Sequence, residues 1–121
     1  MTGFIAKTTR YGKSKTCINP ETGLPGWDEY GDSYTDRGLG CFDDEDKPSL
    51  ISGDCALTDS LRDALRATKH SMIRVVWDNG KSAVYRYNDR APESDYRLDI
   101  YLPWEDDPTI PDTGIVLILL A

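Results

Sequence analysis

Arg74-Val75-Val76-Trp77-Asp78-Asn79-Gly80-Lys81-Ser82-Ala83-Val84-Tyr85-Arg86-Tyr87 sets two β-prone runs on either side of an Asn-Gly pair. Asn-Gly between such runs is the strongest short-range hairpin signal, because a type I′ turn needs positive φ at both central residues. The stretch therefore predicts a β-hairpin over residues 72–87 closed by a two-residue turn. On its second strand Ala83, Tyr85 and Tyr87 point one way, while Val84 and Arg86 point the other.

Working outward, Gly3 to Thr9 reads as a first strand, and Gly38 to Phe42 as a short second one. Thr58 is a plausible N-cap and Asp59 suits the positive end of a helix. Leu61, Ala64, Leu65 and Thr68 share one face, and Lys69 and His70 suit the negative end, which predicts a helix near 58–70. A loop at 88–95 precedes a strand at Tyr96 to Leu102. Ile115 to Leu120 is strongly apolar but far too short to span a bilayer, so it reads as a buried closing strand. A second copy of the chain, pairing through 115–120, is the other use such a segment has.

Residues 11–37 are rich in Gly, Pro, Asp and Tyr, which set turn dihedrals and do not propagate regular structure. A loop of that length is unusual in a compact domain and is either functional or mobile. Residues 43–48, Asp43-Asp44-Glu45-Asp46-Lys47-Pro48, form an acidic, Pro-terminated loop. Size sets residues 1–121 as a single domain. Ten Gly and seven Pro favour short strands over long helices. The fold class expected is mainly β (α+β), a small antiparallel sheet or SH3-like partly open barrel with one α-helix.

Charge is unevenly spread along a chain whose net charge is −7. Residues 1–16 carry four bases and no acid, whereas residues 17–59 carry eleven acids against two bases. Phosphate binding releases counterions through Lys and Arg, so this balance argues against direct nucleic-acid binding. It fits a basic protein partner. Cys17, Cys41 and Cys55 are an odd set without metal spacing, which points to a reducing, cytoplasmic setting. The spacing leaves open whether any two of them pair. The N-terminus lacks the apolar run of a secretory signal.

Candidate chemistry is thin. His70 is the sole histidine, no Ser or Cys lies in a nucleophile motif, and Tyr11-Gly12-Lys13-Ser14-Lys15-Thr16 lacks the first Gly of a phosphate-binding loop. Asp43-Asp44-Glu45-Asp46 lacks the alternate ligand spacing and central Gly of a calcium loop, so it reads as a solvated charge run. No cofactor or metal is expected. Interaction chemistry is better supplied, with twelve aromatics of which seven are Tyr. Tyr and Trp dominate binding hot spots because they bury a large area and keep a polar tip.

Trp77-Asp78-Asn79-Gly80, Tyr85-Arg86, Tyr96 and Leu98 resemble the end of the Mind bomb/HERC domain, mainly over residues 74–99. The family pattern runs Trp-Asp-x-Gly, four residues, Tyr-Arg and later Asp-Leu-Lys. Here the gap to Tyr96 is about three residues longer, and Arg97 and Asp99 flank Leu98. Trp27-Asp28-Glu29-Tyr30-Gly31-Asp32 and Gly38-Leu39-Gly40 are similar to the family's upstream segments, while 43–71 has no counterpart in it. The resemblance implies an SH3-like barrel that recognises partner proteins without catalysis.

The expected function is thus a non-enzymatic protein-binding module. Its contact residues would be Trp27, Tyr30 and Tyr34 in the long loop, Asp43, Asp44, Glu45 and Asp46 in the acidic loop, and Tyr85 and Tyr87 on the hairpin. One alternative is an acidic, phage-type inhibitor that mimics nucleic acid in the basic groove of a host enzyme. The other is a small enzyme, which would need a pocket with convergent polar groups around His70 or a carboxylate pair.

Overall fold

A computed structural model describes residues 3–11, 39–44, 47–101 and 114–120. The chain is mainly β, with one short helix among the described residues, as the composition implies. Its strands are β1 (Gly3–Tyr11), β2 (Asp54–Leu57), β3 (Met72–Trp77), β4 (Ser82–Arg90), β5 (Arg97–Tyr101) and β6 (Gly114–Leu120), with α1 (Asp59–Leu65) after β2. They close into a barrel in the order β1-β5-β2-β4-β3-β6. Two neighbouring pairs, β1 with β5 and β2 with β4, are parallel; the other four are antiparallel.

Strand alternation fills the interior. Ala6, Cys55, Leu57, Ile73, Val75, Trp77, Tyr85, Tyr87, Leu98 and Ile100 turn inward and pack with Leu61 and Leu65 of the helix. Inward Thr8 is wholly buried and accepts the Trp77 indole N–H at 3.4 Å, which satisfies both groups away from water. Strand β6 runs between β1 and β3 and pairs with both, so both its edges are used within the barrel.

The hairpin stands where the sequence places it, but its turn is of another kind. Gly80 has φ +86, whereas Asn79 is not among the positive-φ residues, as type I′ requires. Gly80 N–H donates to the Trp77 carbonyl (3.1 Å) and Trp77 N–H to the Lys81 carbonyl (2.8 Å). This is a three-residue loop, a type I turn followed by a bulge with Gly in the left-handed position. Asn79 contributes through its side chain instead, whose Oδ1 accepts Lys81 N–H at 2.9 Å.

Three further expectations are corrected. Residues 41–43 form a turn and not a strand, because the Asp43 carboxylate accepts Gly40 N–H (2.8 Å), Ser49 N–H (2.8 Å) and Ser49 Oγ (2.6 Å) and bends the chain around itself. The helix stops at Leu65, since Arg66 turns left-handed (φ 56) and Ala67 N–H closes back on the Arg62 carbonyl at 3.0 Å. Thr58 sits at the N-cap position without capping. Its Oγ1 accepts Arg97 N–H from β5, and Glu93 Oε2 takes the Asp59 N–H. Strand β2 is absent from the sequence reading altogether. All four of its residues are buried, so no polar–apolar alternation betrays it.

One carboxylate fastens β2 to β4. Asp54, 1% exposed, is the register partner of Arg86 and accepts its Nε (2.8 Å) and Nη2 (2.7 Å) in a forked pair. Asn88 Nδ2 (3.0 Å) and Ile51 N–H (3.1 Å) complete its shell. A buried charge stripped of a partner is far more costly than the pair itself is stabilising. Asp54→Ala is therefore expected to lower stability by about 3 kcal/mol, measured by urea unfolding; a loss under about 1 kcal/mol would contradict this role. Gly40→Ala should also destabilise, by about 1–3 kcal/mol, because an added Cβ would lie 2.1 Å from the Asn88 carbonyl oxygen.

Candidate functional site

Residues on the outer side of β1, β5, β2 and β4 assemble a polar and aromatic constellation, in which Ala56, Tyr101 and Asp99 are buried and Thr9, Tyr11 and Asp89 half-buried. Thr9 is the register partner of Asp99, Asp99 of Ala56, and Ala56 of Asp89. Register partners share a sheet face, so Thr9, Asp99, Ala56 and Asp89 form a row across four strands. Inward Cys55, Leu57, Leu98 and Ile100 flank them in sequence, which places the row on the outer side of the wall.

A bulge delivers the last member. Between Cys55 and Ala56 on β2 the partner strand advances from Tyr87 to Asp89, one residue more than regular pairing allows. In an unbroken strand Asp89 would follow Tyr87 into the core. The extra residue, Asn88, is fully buried, and its amide bonds Ser49 Oγ (3.0 Å) and Asp54. Asp89 is thereby turned to the outside.

Two carboxylates are held firmly in this row. Asp99 accepts a hydrogen bond from Thr9 Oγ1 and is gripped by Arg97, with Nε at 2.9 Å and Nη2 at 3.1 Å. Asp89 accepts the Tyr11 hydroxyl at 2.8 Å and Arg90 N–H at 2.8 Å. Tyr11 is the register partner of Tyr101, and their rings lie 5.1 Å apart. Burial, and after it the charge and hydrogen bond of Asp89, push the Tyr11 phenol well above its ordinary value. The ring is thus a fixed proton donor to Asp89 across neutral and moderately alkaline pH.

Other groups offer less. Burial raises both described thiols, Cys55 strongly, so neither is a thiolate at neutral pH. His70 lies past the helix with φ 65, and its Nε2 sits 3.1 Å from Asn88 Oδ1. No three His, Cys, Asp or Glu side chains gather in a metal-holding cluster among the described residues.

The residues expected from sequence to contact a partner are not brought together here. Tyr85 and Tyr87 are core residues, 4% and 2% exposed, because the hairpin face they share with Ala83 is the inner one. Asp43 spends its oxygens on its own turn. Asp44 is exposed. Trp27, Tyr30, Tyr34, Glu45 and Asp46 lie outside the described residues.

Sequence reasoning missed Thr9, Tyr11, Asp89, Asp99 and Tyr101. A signal was present in Arg97-Leu98-Asp99-Ile100-Tyr101, whose odd members form a polar and aromatic stripe beside inward Leu98 and Ile100.

The raised Tyr11 phenol gives stability that is complete below pH 10 and is lost as pH climbs through the folded-state value. Ultraviolet titration should show Tyr11 ionising late, with Tyr87 also raised by burial. Asp89→Asn should bring that step down, by removing the charge and weakening the acceptor. If the late step is unchanged in Asp89→Asn, the Tyr11–Asp89 contact is not its cause.

In comparisons with known proteins the chain matches no family model, no curated protein and no solved structure.

Proposed function

We propose that this barrel is a protein-binding module, working without bond-making, whose contact face centres on half-buried Asp89 and Tyr11 of the outer row, with Asp99 and Tyr101, 8% and 5% exposed, as their buried support. The observation that carries the reading is the pre-organisation of these groups. Thr9, Arg97 and Tyr11 already orient the carboxylates, so little ordering cost is left for binding. A fixed carboxylate accepts a guanidinium or ammonium with charge-assisted hydrogen bonds, and a tyrosine ring attracts the same cation through its face. The partner is accordingly a basic protein segment. The net charge of −7 adds a long-range field that steers it. Exposed Asp44 belongs to that field, and Trp27, Tyr30 and Tyr34 belong to the proposal on their sequence alone. The Mind bomb/HERC resemblance of 74–99 supports recognition too.

A second reading is favoured by one feature. Asp99 and Asp89 stand on one face with Ala56 between them, two strand spacings or roughly 10 Å apart at Cα. Inverting glycoside hydrolysis uses two carboxyl groups about 6.5–9.5 Å apart, one as acid and one as base toward water. On that reading the chain is a small hydrolase of a glycan.

Affinity capture with the intact chain, followed by mass spectrometry, separates the two. The module should retain a basic protein whose on-rate falls as salt rises. Asp89→Asn should weaken that complex about tenfold, the scale of losing one good charge-assisted contact. Salt-independent capture that ignores Asp89→Asn would remove this face from the account. Release of reducing ends from a polysaccharide, abolished by Asp99→Asn in a folded variant, would establish the hydrolase instead.

A further inference from the structure

The barrel wall has a gap at the start of β1. Strand β1 pairs with β6 from Gly3 to Thr8, but with β5 only from Lys7 to Tyr11. The first bond on the β5 side is Lys7 N–H to the Tyr96 carbonyl, 3.0 Å. Backbone groups alternate sides along a strand, so Gly3 and Ile5 aim their N–H and C=O the same way as Lys7, and Phe4 and Ala6 aim theirs at β6. Among the described residues no strand pairs with Gly3 to Ala6 on that side. The chain leading into β5 runs past this edge as bends, residues 93–96, and leaves a cleft of about 810 Å³ between them.

The walls of the cleft differ in chemistry. On the strand side Ile5 is 66% exposed, exposed Lys7 follows it on the same face, and Ala6, Tyr96 and the Asp99-paired Arg97 also line the cleft. On the opposite side stand Glu93 and Asp95, both exposed. Glu93 Oε2 is engaged by Asp59 N–H, whereas Asp95 has no ion-pair partner among the described residues. An unpaired strand edge beside an apolar side chain is what strand addition uses: main-chain bonds give affinity, and alternate side chains give selectivity.

The geometry points to this cleft as a docking site for an extended peptide segment of a partner protein. The segment would add as a strand along Gly3–Ala6, setting an apolar side chain beside Ile5 and a basic one toward Asp95, at the side of the cleft opposite Lys7. The site is distinct from the Asp99–Asp89 face and does not depend on it, although Arg97 borders both.

Panning a random dodecapeptide library on the intact chain tests it, with the enriched peptides then synthesised and titrated by fluorescence anisotropy. Enriched sequences should alternate apolar and basic residues. Ile5→Pro deletes the cleft-facing N–H and leaves the β6 ladder intact, because that N–H does not point to β6; it should weaken binding at least tenfold. Asp95→Lys should weaken it severalfold, and Val84→Ser on β4, away from the cleft, should not. Backbone amide shifts should cluster at Gly3–Lys7 and 93–97. Failure to enrich any peptide, or equal affinity for Ile5→Pro, overturns the proposal. Shifts confined to Thr9, Tyr11, Asp89 and Asp99 also overturn it, while supporting the face proposed above. Should Ile5→Pro not fold, hydrogen exchange of the Ile5 amide decides: peptide must slow it, and unchanged exchange refutes strand addition.

Discussion

The Asp54 carboxylate is the constraint on which the rest depends. Burying a charge is costly unless its lone pairs are filled, and here Arg86, Asn88 and Ile51 N–H fill them. Because Arg86 is its register partner, the ion pair locks one alignment of β2 against β4. That lock matters more for a parallel pair than for a hairpin. No tight turn sets the register of β2 and β4, which are separated by the helix and β3.

The same carboxylate reaches the candidate site. Asn88, the extra residue of the bulge, is bound to Asp54 and Ser49, and Ser49 is bound in turn to Asp43. Asn88 is anchored on the face of Asp54 and Arg86, and the extra residue of the bulge lets Asp89 follow on that outer side, where it meets Tyr11. A buried ion pair on one strand boundary thus determines which side of the wall a surface carboxylate occupies. Gly40 belongs to this arrangement as well, since only a residue without Cβ fits against the Asn88 carbonyl.

Closure of the barrel distributes the remaining tasks. β6 fills the space between β1 and β3 and so removes two strand edges that would invite aggregation. Phe4 and Tyr96 meet edge to face, with ring centres 5.6 Å apart, at the end where β1 and β5 diverge. The outward stripe of β1 then runs from the cleft at Ile5 and Lys7 to the aspartate row at Thr9 and Tyr11. One strand therefore carries both surfaces on its outer face and core residues on its inner one.

Local pattern in the sequence determined the first strand, the hairpin strands, the start of the helix and the closing strand. In each case a period of two or 3.6, a helix-start residue or an unbroken apolar run is written into neighbouring residues. It also determined the acidic balance. What only the tertiary structure decided is β2, the turn type at Asn79-Gly80, and the site itself. β2 is buried on every side, so its pattern carries no period. The hairpin tyrosines became core because closure of the barrel chose their face as the inside, a choice that alternation alone leaves undecided. Thr9, Asp99, Ala56 and Asp89 are neighbours through register and a bulge, and residues 90 positions apart in the chain leave no local trace of such a meeting.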